Sequence, residues 1–302
     1  MTLTRLSGCK VNLLLNILAR RADGFHELET VLQPVPLCDE LTLTRQGSGV
    51  ELTCNDPRLP VDSANLVHRA AADFLHAAGI QEGVRIHLEK RLPLAAGLGG
   101  GSGNAATTLL AMIDLFGQPL TAPRLHVLAA ALGSDVPFFL QTGPALATGR
   151  GEKIEPLPPF PALRGATLLL LHPGFGIATP WAYQQLARFP TVLNGQPGRA
   201  RQLVARLQDA DLTHAGAEFY NALEAPALDK YPILALYQEC LREHGAAATL
   251  MSGSGSTTFA LFTDTARAEA ALTQLLSRFG DTAWTALTPL DPAGARYCLF
   301  EK

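Results

Sequence analysis

The segment "PLAAGLGGGSGNAATTLL" (Pro93 to Leu110) constrains the possible folds of this chain more than any other. Five glycines occupy the seven positions from Gly97 to Gly103, and an alanine-rich apolar segment follows directly. Apolar residues alternate at 84–88, which predicts a strand ending before the glycines, and 105–116 predicts a buried helix. Close packing of a strand against a helix explains one or two glycines but not five. Because glycines leave backbone N–H groups unhindered at a helix N-terminus, the pattern predicts a phosphate-binding loop.

Three familiar phosphate-binding motifs do not fit this loop. A Walker A loop requires a lysine after a glycine, and none of the lysines follows one. A dinucleotide fingerprint can be forced onto Gly101, Gly103 and Ala106, but it requires a strand after the helix. The next segment, 122–132, predicts a second helix instead. The motifs of protein kinases are also absent from the sequence.

Composition excludes several classes of partner. The chain has 302 residues, 47% of them hydrophobic, with 24 Lys and Arg against 27 Asp and Glu for a net charge of -3. With no basic run, nucleic acid and anionic membrane surfaces are not expected partners. No apolar run is long enough to span a bilayer, and the five cysteines form no CxxC pair. We therefore expect a cytoplasmic protein with unpaired thiols.

Periodicity and turn residues predict two α+β domains. The proline-rich segment 156–165 is the best boundary, giving domains at 1–160 and 161–302. Ser63, Thr121 and Thr179 are candidate helix caps. Predicted strands lie at 9–17, 27–35, 41–44 and 50–54 (a further pair), 84–89, 166–171, 247–251 and 259–262, and near 284 and 296. Predicted helices lie at 64–78, 105–116, 122–132, 197–209, 232–243 and 266–277, with another starting at 179.

The pattern P-x-x-x-G-L-G-G-G-S, from Pro93 to Ser102, resembles the phosphate loop of the GHMP kinases. Further segments resemble one family among them, the 4-diphosphocytidyl-2-C-methyl-D-erythritol kinases of the non-mevalonate isoprenoid pathway. These segments occur in the same order as in that family and extend nearly end to end: "CKVNLLLNILARRADGFHELETVLQP" (9–34), "NLVHRAA" (65–71), "LGSDVPFFL" (132–140), "NALE" (221–224) and "MSGSGSTTFALF" (251–262).

This resemblance implies a fold and an activity. The fold is α+β with two domains, an N-terminal nucleotide domain like ribosomal protein S5 domain 2 and a C-terminal ferredoxin-like GHMP domain. The activity is ATP-dependent phosphorylation of the 2-hydroxyl of the family's cytidine diphosphate substrate, with Mg²⁺. The expected partner is this small molecule, and the protein is expected to be a monomer or weak homodimer.

The resemblance also assigns catalytic and nucleotide-binding residues. Asp135 matches the general base and Lys10 its cationic partner, a pair that suits phosphoryl transfer because the ammonium favours developing alkoxide and phosphoryl charge. The alternatives are a helix or turn cap for Asp135 and a solvated strand residue for Lys10. Asn65 and Lys90 match positions that contact the nucleotide base, and Ser102 is a candidate Mg²⁺ ligand. The implied phosphate-binding residues are Pro93, Leu94, Ala95, Ala96, Gly97, Leu98, Gly99, Gly100, Gly101, Ser102 and Gly103.

The expected acceptor site follows from the same resemblance. Phe25 and Tyr183 match the aromatic rings that enclose the cytosine, and His26 matches the residue that reads its edge. Stacking contributes area, whereas discrimination against uracil requires hydrogen bonds. Asn12 and Thr179 match contacts to other parts of the substrate, although capping explains Thr179 equally well.

Some positions depart from the family pattern. Gly103 stands where the loop commonly has a second serine, Cys9 where alanine is common, and Phe25 where tyrosine is common. The missing serine hydroxyl puts metal or phosphate coordination at position 103 in question. Two alternative functions remain. One is a GHMP kinase for another small alcohol such as homoserine or mevalonate, against which the aromatic positions argue, and the other is a non-catalytic nucleotide-binding protein of the same fold, which Gly103 leaves open.

Overall fold

A computed structural model describes residues 1–117, 119–281 and 283–290. The strands, in chain order, are β1 (Thr2–Arg20), β2 (His26–Gln46), β3 (Val50–Cys54), β4 (Gly83–Glu89), β5 (Ala145–Gly149), β6 (Lys153–Pro156), β7 (Ala166–His172), β8 (Tyr220–Asn221), β9 (Ala248–Met251), β10 (Thr258–Phe262) and β11 (Trp284–Leu290). The helices are α1 (Leu66–Ala78), α2 (Gly100–Phe116), α3 (Ala122–Leu132), α4 (Thr179–Gln185), α5 (Pro190–Leu193), α6 (Arg199–Leu207), α7 (Leu212–Gly216), α8 (Glu224–Lys230), α9 (Ile233–Glu243) and α10 (Thr265–Phe279). Short 3₁₀ segments cover Val136–Leu140, Pro161–Leu163 and Leu186–Arg188.

The described strands form two sheets, one of seven strands and one of four. The larger sheet has the order β3-β4-β2-β1-β8, with β5 joined to β2 and β6 to β5. The smaller sheet has the order β11-β7-β10-β9. With helices beside both sheets, the predicted α+β class is confirmed.

The long hairpin of β1 and β2 forms the centre of the larger sheet, and it corrects two predictions. The predicted strands 27–35 and 41–44 are both parts of the single strand β2. Pro36 does not end this strand, because it lies in an irregularity between Val35 and Cys38, which both pair with β1. Proline is tolerated at such a bulge since it needs no ladder hydrogen bond there. In addition, the segments 41–44 and 50–54 do not pair with each other as predicted. Strand β3 (50–54) runs parallel to β4, and β4 lies between β3 and β2.

At three helix starts the structure corrects either the predicted cap or the predicted first residue. Asn65, rather than Ser63, caps α1, and its Oδ1 accepts a hydrogen bond from the N–H of Val67 at 2.9 Å. Helix α2 begins at Gly100, so half of the glycine loop is the first turn of the helix. Thr179 is the first residue of α4 rather than its cap, and its hydroxyl lies 2.9 Å from the Ser254 hydroxyl.

The hydrophobic core connects the two halves of the chain. One cluster lies between the larger sheet and α1–α3, and a second combines residues of β1 and β2 with residues of β7 and β10. A third cluster lies around the smaller sheet. Strand β8 comes from the C-terminal half yet pairs with β1. The segment 156–165 does connect the two sheets, but the division at residue 160 stays a prediction.

Two further predictions concern the thiols and the chain's C-terminal part. Cys9, Cys54 and Cys240 are free, as expected. The strand predicted near 284 is β11, and the one near 296 lies outside the described residues. Among the described helices, none is both long enough and apolar enough to cross a bilayer.

Candidate active site

A cavity of about 1180 Å³ lies where the glycine loop, β1, α4 and the loop after β9 meet. Every residue that the sequence assigned to a catalytic, nucleotide or acceptor role lines this cavity except Gly103. The lining residues come from both halves of the chain. The assigned roles themselves remain predictions.

Two of the loop glycines are required by contacts within the protein. A Cβ on Gly97 would lie 2.0 Å from the carbonyl oxygen of Ser252, and the residue has a φ of +76°. A Cβ on Gly103 would lie 2.4 Å from the carbonyl oxygen of Gly8 on β1. A serine at 103 would therefore collide with β1, because its Cβ would point at that strand. The glycine at 103 therefore suits the close packing of the loop on β1 in this chain.

Gly99, Gly100 and Gly101 border the cavity at the start of α2. Gly99 occupies the cap position with a φ of +69° and offers no side-chain acceptor to the first turn. A Cβ on Gly101 would meet no atom closer than 3.9 Å, so the protein itself leaves room there. The N-terminus of a helix attracts anions through its N–H groups and dipole. This turn therefore has the properties of a phosphate site.

Lys10 lies beneath the loop. Its backbone N–H donates to the carbonyl of Leu98 at 2.9 Å, and its Nζ donates to Asn12 Oδ1 at 2.6 Å and to the Gly97 carbonyl at 3.2 Å. Nζ also lies 3.5 Å from Asp135 Oδ2. The Lys10 side chain is 4% exposed and that of Asp135 41%, so the ammonium is fixed while the carboxylate faces the cavity.

Asp135 is held by the short 3₁₀ segment that follows it. Val136, Phe138 and Phe139 in this segment are buried, and they anchor the backbone next to the carboxylate. Asp135 occupies the cap position of the segment, but its side chain accepts no capping hydrogen bond. The carboxylate is therefore available to a ligand in the cavity.

Aromatic side chains gather at the other end of the cavity. The rings of His26 and Tyr183 lie 5.1 Å apart between centroids at an angle of 32°. The half-exposed ring of Phe25 has the guanidinium of Arg150 over it at 4.6 Å. Burial, followed by the positive charge of Arg20, lowers the pKa of His26, which favours its neutral form. Burial, followed by the charge of Asp135, raises the pKa of Tyr183.

Asn65 and Lys90 both have partners within the protein. Asn65 caps α1 and donates through Nδ2 to the carbonyl of Pro60 at 2.8 Å. Lys90 forms a buried ion pair with Asp39. Both residues line the cavity, but these contacts already give each of them a structural role.

The loop from Ser252 to Thr257 packs directly on the glycine loop. Ser252 Oγ donates to the Gly97 carbonyl at 3.0 Å, and the N–H of Thr257 donates to the Ala96 carbonyl at 3.2 Å. Asn221 holds this second loop by donating to the carbonyls of Met251 at 2.8 Å and Gly253 at 2.7 Å.

Asn12 supports Lys10 from β1. Its Oδ1 accepts from Lys10, and its Nδ2 donates to Thr30 Oγ1 at 2.9 Å. Both polar ends of the amide are therefore engaged, which fixes its orientation next to the cavity.

Sequence reasoning missed several cavity residues. Arg20 and Arg150 line the acceptor end, and Asn104 lines the loop end. Arg20 stands within a recognised motif, but its residue type gives no signal because arginine is common on exposed surfaces. Arg150 and Asn104 likewise carry no local pattern that distinguishes them.

The described residues contain no group of three or more His, Cys, Asp or Glu side chains arranged to hold a metal ion. Mg²⁺ prefers oxygen ligands and usually binds through substrate phosphates with only one or two protein groups. The Ser102 hydroxyl and the Asp135 carboxylate are oxygen donors that line the cavity. This donor set fits a metal ion that is bound mainly by a nucleotide.

Comparisons with known proteins agree with this fold. The family model "GHMP kinases N terminal domain" matches residues 65–143, and "GHMP kinases C terminal" matches residues 193–282. A solved 4-(cytidine 5'-diphospho)-2C-methyl-D-erythritol kinase has a TM-score of 0.75 at 35% identity, covering 94% of this chain and 98% of that one. A homoserine kinase from Cytophaga hutchinsonii has a TM-score of 0.74 at 23% identity, covering 95% and 93%, which shows the shared fold alone. Fold and site therefore define a small-molecule kinase of the GHMP class, which implies the use of ATP.

Curated relatives narrow this class. A protein of Synechococcus sp. (strain JA-3-3Ab) is 39% identical over 297 residues, covering 96% of this chain and 94% of the relative. One from Pelotomaculum thermopropionicum is 40% identical over 265 residues, covering 87% and 90%. Both are named 4-diphosphocytidyl-2-C-methyl-D-erythritol kinase. The chain belongs to this kinase family, and the family, fold and enzyme class inferred from the sequence are confirmed.

Proposed function

We propose that the chain transfers the γ-phosphoryl group of ATP to the 2-hydroxyl of 4-diphosphocytidyl-2-C-methyl-D-erythritol. The products would be the 2-phosphate and ADP, within the non-mevalonate pathway to isoprenoid precursors. The observation that carries the proposal is the Lys10–Asp135 pair, with Nζ and Oδ2 3.5 Å apart, in the same cavity as the glycine loop. The names of the relatives support the acceptor.

The proposed chemistry uses few protein groups. The acceptor oxygen attacks the γ-phosphorus, the bond to the bridging oxygen breaks, and its electron pair leaves with ADP. Asp135 accepts the proton of the hydroxyl, and Lys10 stabilises the negative charge that develops on the acceptor and the phosphoryl group. Asn12 keeps the ammonium in place, since its Oδ1 accepts from Nζ at 2.6 Å.

The glycine loop and the first turn of α2 hold the ATP phosphates in this proposal. Gly100, Gly101 and Ser102 would contribute backbone N–H groups, and the helix dipole would add favourable potential. When bound, Mg²⁺ would neutralise phosphate oxygens, with the Ser102 hydroxyl as a candidate ligand. Asn65 and Lys90 border the same end of the cavity and are proposed to contact the adenine.

The cytidine occupies the aromatic end of the cavity. Phe25 and Tyr183 stack on the base, and neutral His26 reads its edge. The acceptor also carries a negatively charged diphosphate, and the guanidinium groups of Arg20 and Arg150 complement it at this end. Thr179 and Asn12 contact the remaining parts of the acceptor.

One assay tests the proposal against its alternatives. ATP consumption is measured in parallel with the cytidine acceptor, homoserine and mevalonate. We expect turnover with the cytidine acceptor alone, because the other two offer no base to stack between the aromatic rings. Turnover with either of the others, or with none while ATP still binds, would overturn the proposed substrate.

The remaining expectations stay part of the proposal. The protein acts as a monomer or weak homodimer in the cytoplasm, with domains at 1–160 and 161–302. Nucleic acid is not a partner, in keeping with the net charge of -3.

A further inference from the structure

Asp39 is a fully buried carboxylate beneath the glycine loop, outside the cavity lining. Its Oδ1 accepts from the backbone N–H groups of Arg91 at 2.8 Å and Leu92 at 2.9 Å. Its Oδ2 accepts from Asn104 Nδ2 at 2.9 Å and from Lys90 Nζ. Arg91 and Leu92 precede the loop at 93–103, and Asn104 follows it. One carboxylate therefore binds both ends of the loop: Oδ1 accepts only from the entry side, and Oδ2 accepts from the exit side and from Lys90.

We propose that Asp39 is a positioning residue for the nucleotide, acting by clamping both ends of the loop at 93–103. The inference rests on the proposed function, in which this loop holds the ATP phosphates. Residues 93–103 contain the flexible glycines, so their conformation depends on how their ends are fixed. A buried carboxylate whose donors are all in place has a well-defined geometry, because losing any donor leaves part of a buried charge unpaired.

The clamp is fastened to the sheet. Asp39 pairs with Ser7 across β1 and β2, and Asn104 Nδ2 also donates to Ser7 Oγ at 2.9 Å. The first turns of α2 are therefore held against the centre of the larger sheet at the point where the loop returns.

The charge of Asp39 makes it possible to distinguish a positioning role from a purely electrostatic effect on ATP binding. A Cβ on Gly100 would lie 3.7 Å from Asp39 Oδ2 and 3.2 Å from Lys90 Nζ, so the ion pair lies directly under the first turn of α2. Removing the negative charge of Asp39 leaves a positive charge near the phosphates, which by electrostatics alone strengthens ATP binding. Releasing the loop weakens it. The two explanations therefore predict opposite changes in the Kd for ATP.

Asp39→Asn tests the proposal. The amide oxygen can still accept from Arg91 and Leu92, but the amide nitrogen faces two other donors, Lys90 and Asn104, so the exit end of the loop is released. Glu29→Gln is the matched control, because Glu29 is a buried carboxylate on the same strand, 7% exposed. It accepts from Gly198 N–H at 3.0 Å and Ala200 N–H at 3.1 Å, so it holds a different segment.

Two measurements are made on the full chain without turnover: the Kd for ATP with Mg²⁺ by calorimetry, and hydrogen exchange of the peptide covering 93–103. Asp39→Asn is expected to raise the Kd for ATP roughly tenfold or more, the scale of one lost hydrogen bond to a charged group, and to speed exchange in that peptide. The Kd for the cytidine acceptor should change less than about twofold. Glu29→Gln should alter neither the Kd for ATP nor exchange in 93–103.

An unchanged or lower Kd for ATP, or unchanged loop exchange, would overturn the clamp. If Asp39→Asn does not fold, Asn104→Leu removes the exit contact with Asp39 together with the Asn104–Ser7 hydrogen bond, and the same two readouts apply with the same signs. Failure of the proposed function would show separately, as absence of turnover with the cytidine acceptor in the unaltered chain. Loop exchange tests the clamp in either case.

Discussion

Asp135→Asn removes the proposed base while preserving the shape of the side chain. Lys10 Nζ keeps two acceptors after the change, Asn12 Oδ1 at 2.6 Å and the Gly97 carbonyl at 3.2 Å. Because the ammonium is not left unpaired and Asp135 is 41% exposed, the loss of stability should be at most about 1 kcal/mol. A positioned general base contributes roughly 10²–10⁴ in rate. We expect kcat to fall by that factor, about 3–5 kcal/mol of transition-state stabilisation.

The assay is steady-state ADP release at saturating ATP and acceptor, together with the Kd for ATP by calorimetry. The Kd for ATP should stay within about threefold, since the altered group is not a phosphate ligand in this account. Asp114→Asn is the control, because Asp114 is a similarly half-exposed carboxylate whose Oδ2 lies 3.0 Å from Arg5 Nη2, outside the cavity. A kcat for Asp135→Asn within about threefold of the unaltered chain would refute the assignment of the base.

Three further predictions concern other parts of the molecule. Tyr183→Ala should raise the KM for the cytidine acceptor about 5- to 150-fold, the value of one base stack, with the KM for ATP unchanged; an unchanged acceptor KM would remove Tyr183 from the stack. Gly103→Ser should lower the free energy of unfolding by about 1–3 kcal/mol in urea titrations, because its Cβ would overlap Gly8; an unaltered midpoint would contradict that packing. Burial raises the pKa of Glu224, so the folded chain binds a proton at this carboxyl more tightly than the unfolded chain does. The free energy of unfolding therefore falls as pH rises from the ordinary carboxyl range through the raised pKa. Glu224→Gln should remove that part of the pH slope in the same titrations, and an identical slope would count against it.

Local patterns in the sequence predicted much of the fold. The strand at 84–89 and the helix at 122–132 match β4 and α3 in position. The start of α2 was predicted too late, at 105 instead of Gly100, because glycines have low helix propensity and hide the first turn. Periodicity describes single elements well. It does not report which strand pairs with which, so the pairing of β8 with β1 was not predicted.

The candidate site was predictable where motifs carried it. Lys10 and Asp135 were selected by resemblance, and they lie together in the structure at 3.5 Å. The clamp at Asp39 was not predicted, because its donors are backbone N–H groups and side chains brought together only by folding. The contact of Gly103 with Gly8 is of the same kind.

The product of the reaction tests the central claim most directly. Carbon 2 of the methylerythritol unit carries the methyl group and no hydrogen, so a phosphate ester at its hydroxyl has no proton on the ester carbon. A proton-coupled ³¹P spectrum of the product should therefore show a new monoester resonance without phosphorus–proton splitting, beside the signals of the unchanged diphosphate. A split monoester resonance would mean that another hydroxyl is the acceptor, and no monoester resonance would contradict phosphoryl transfer to this substrate.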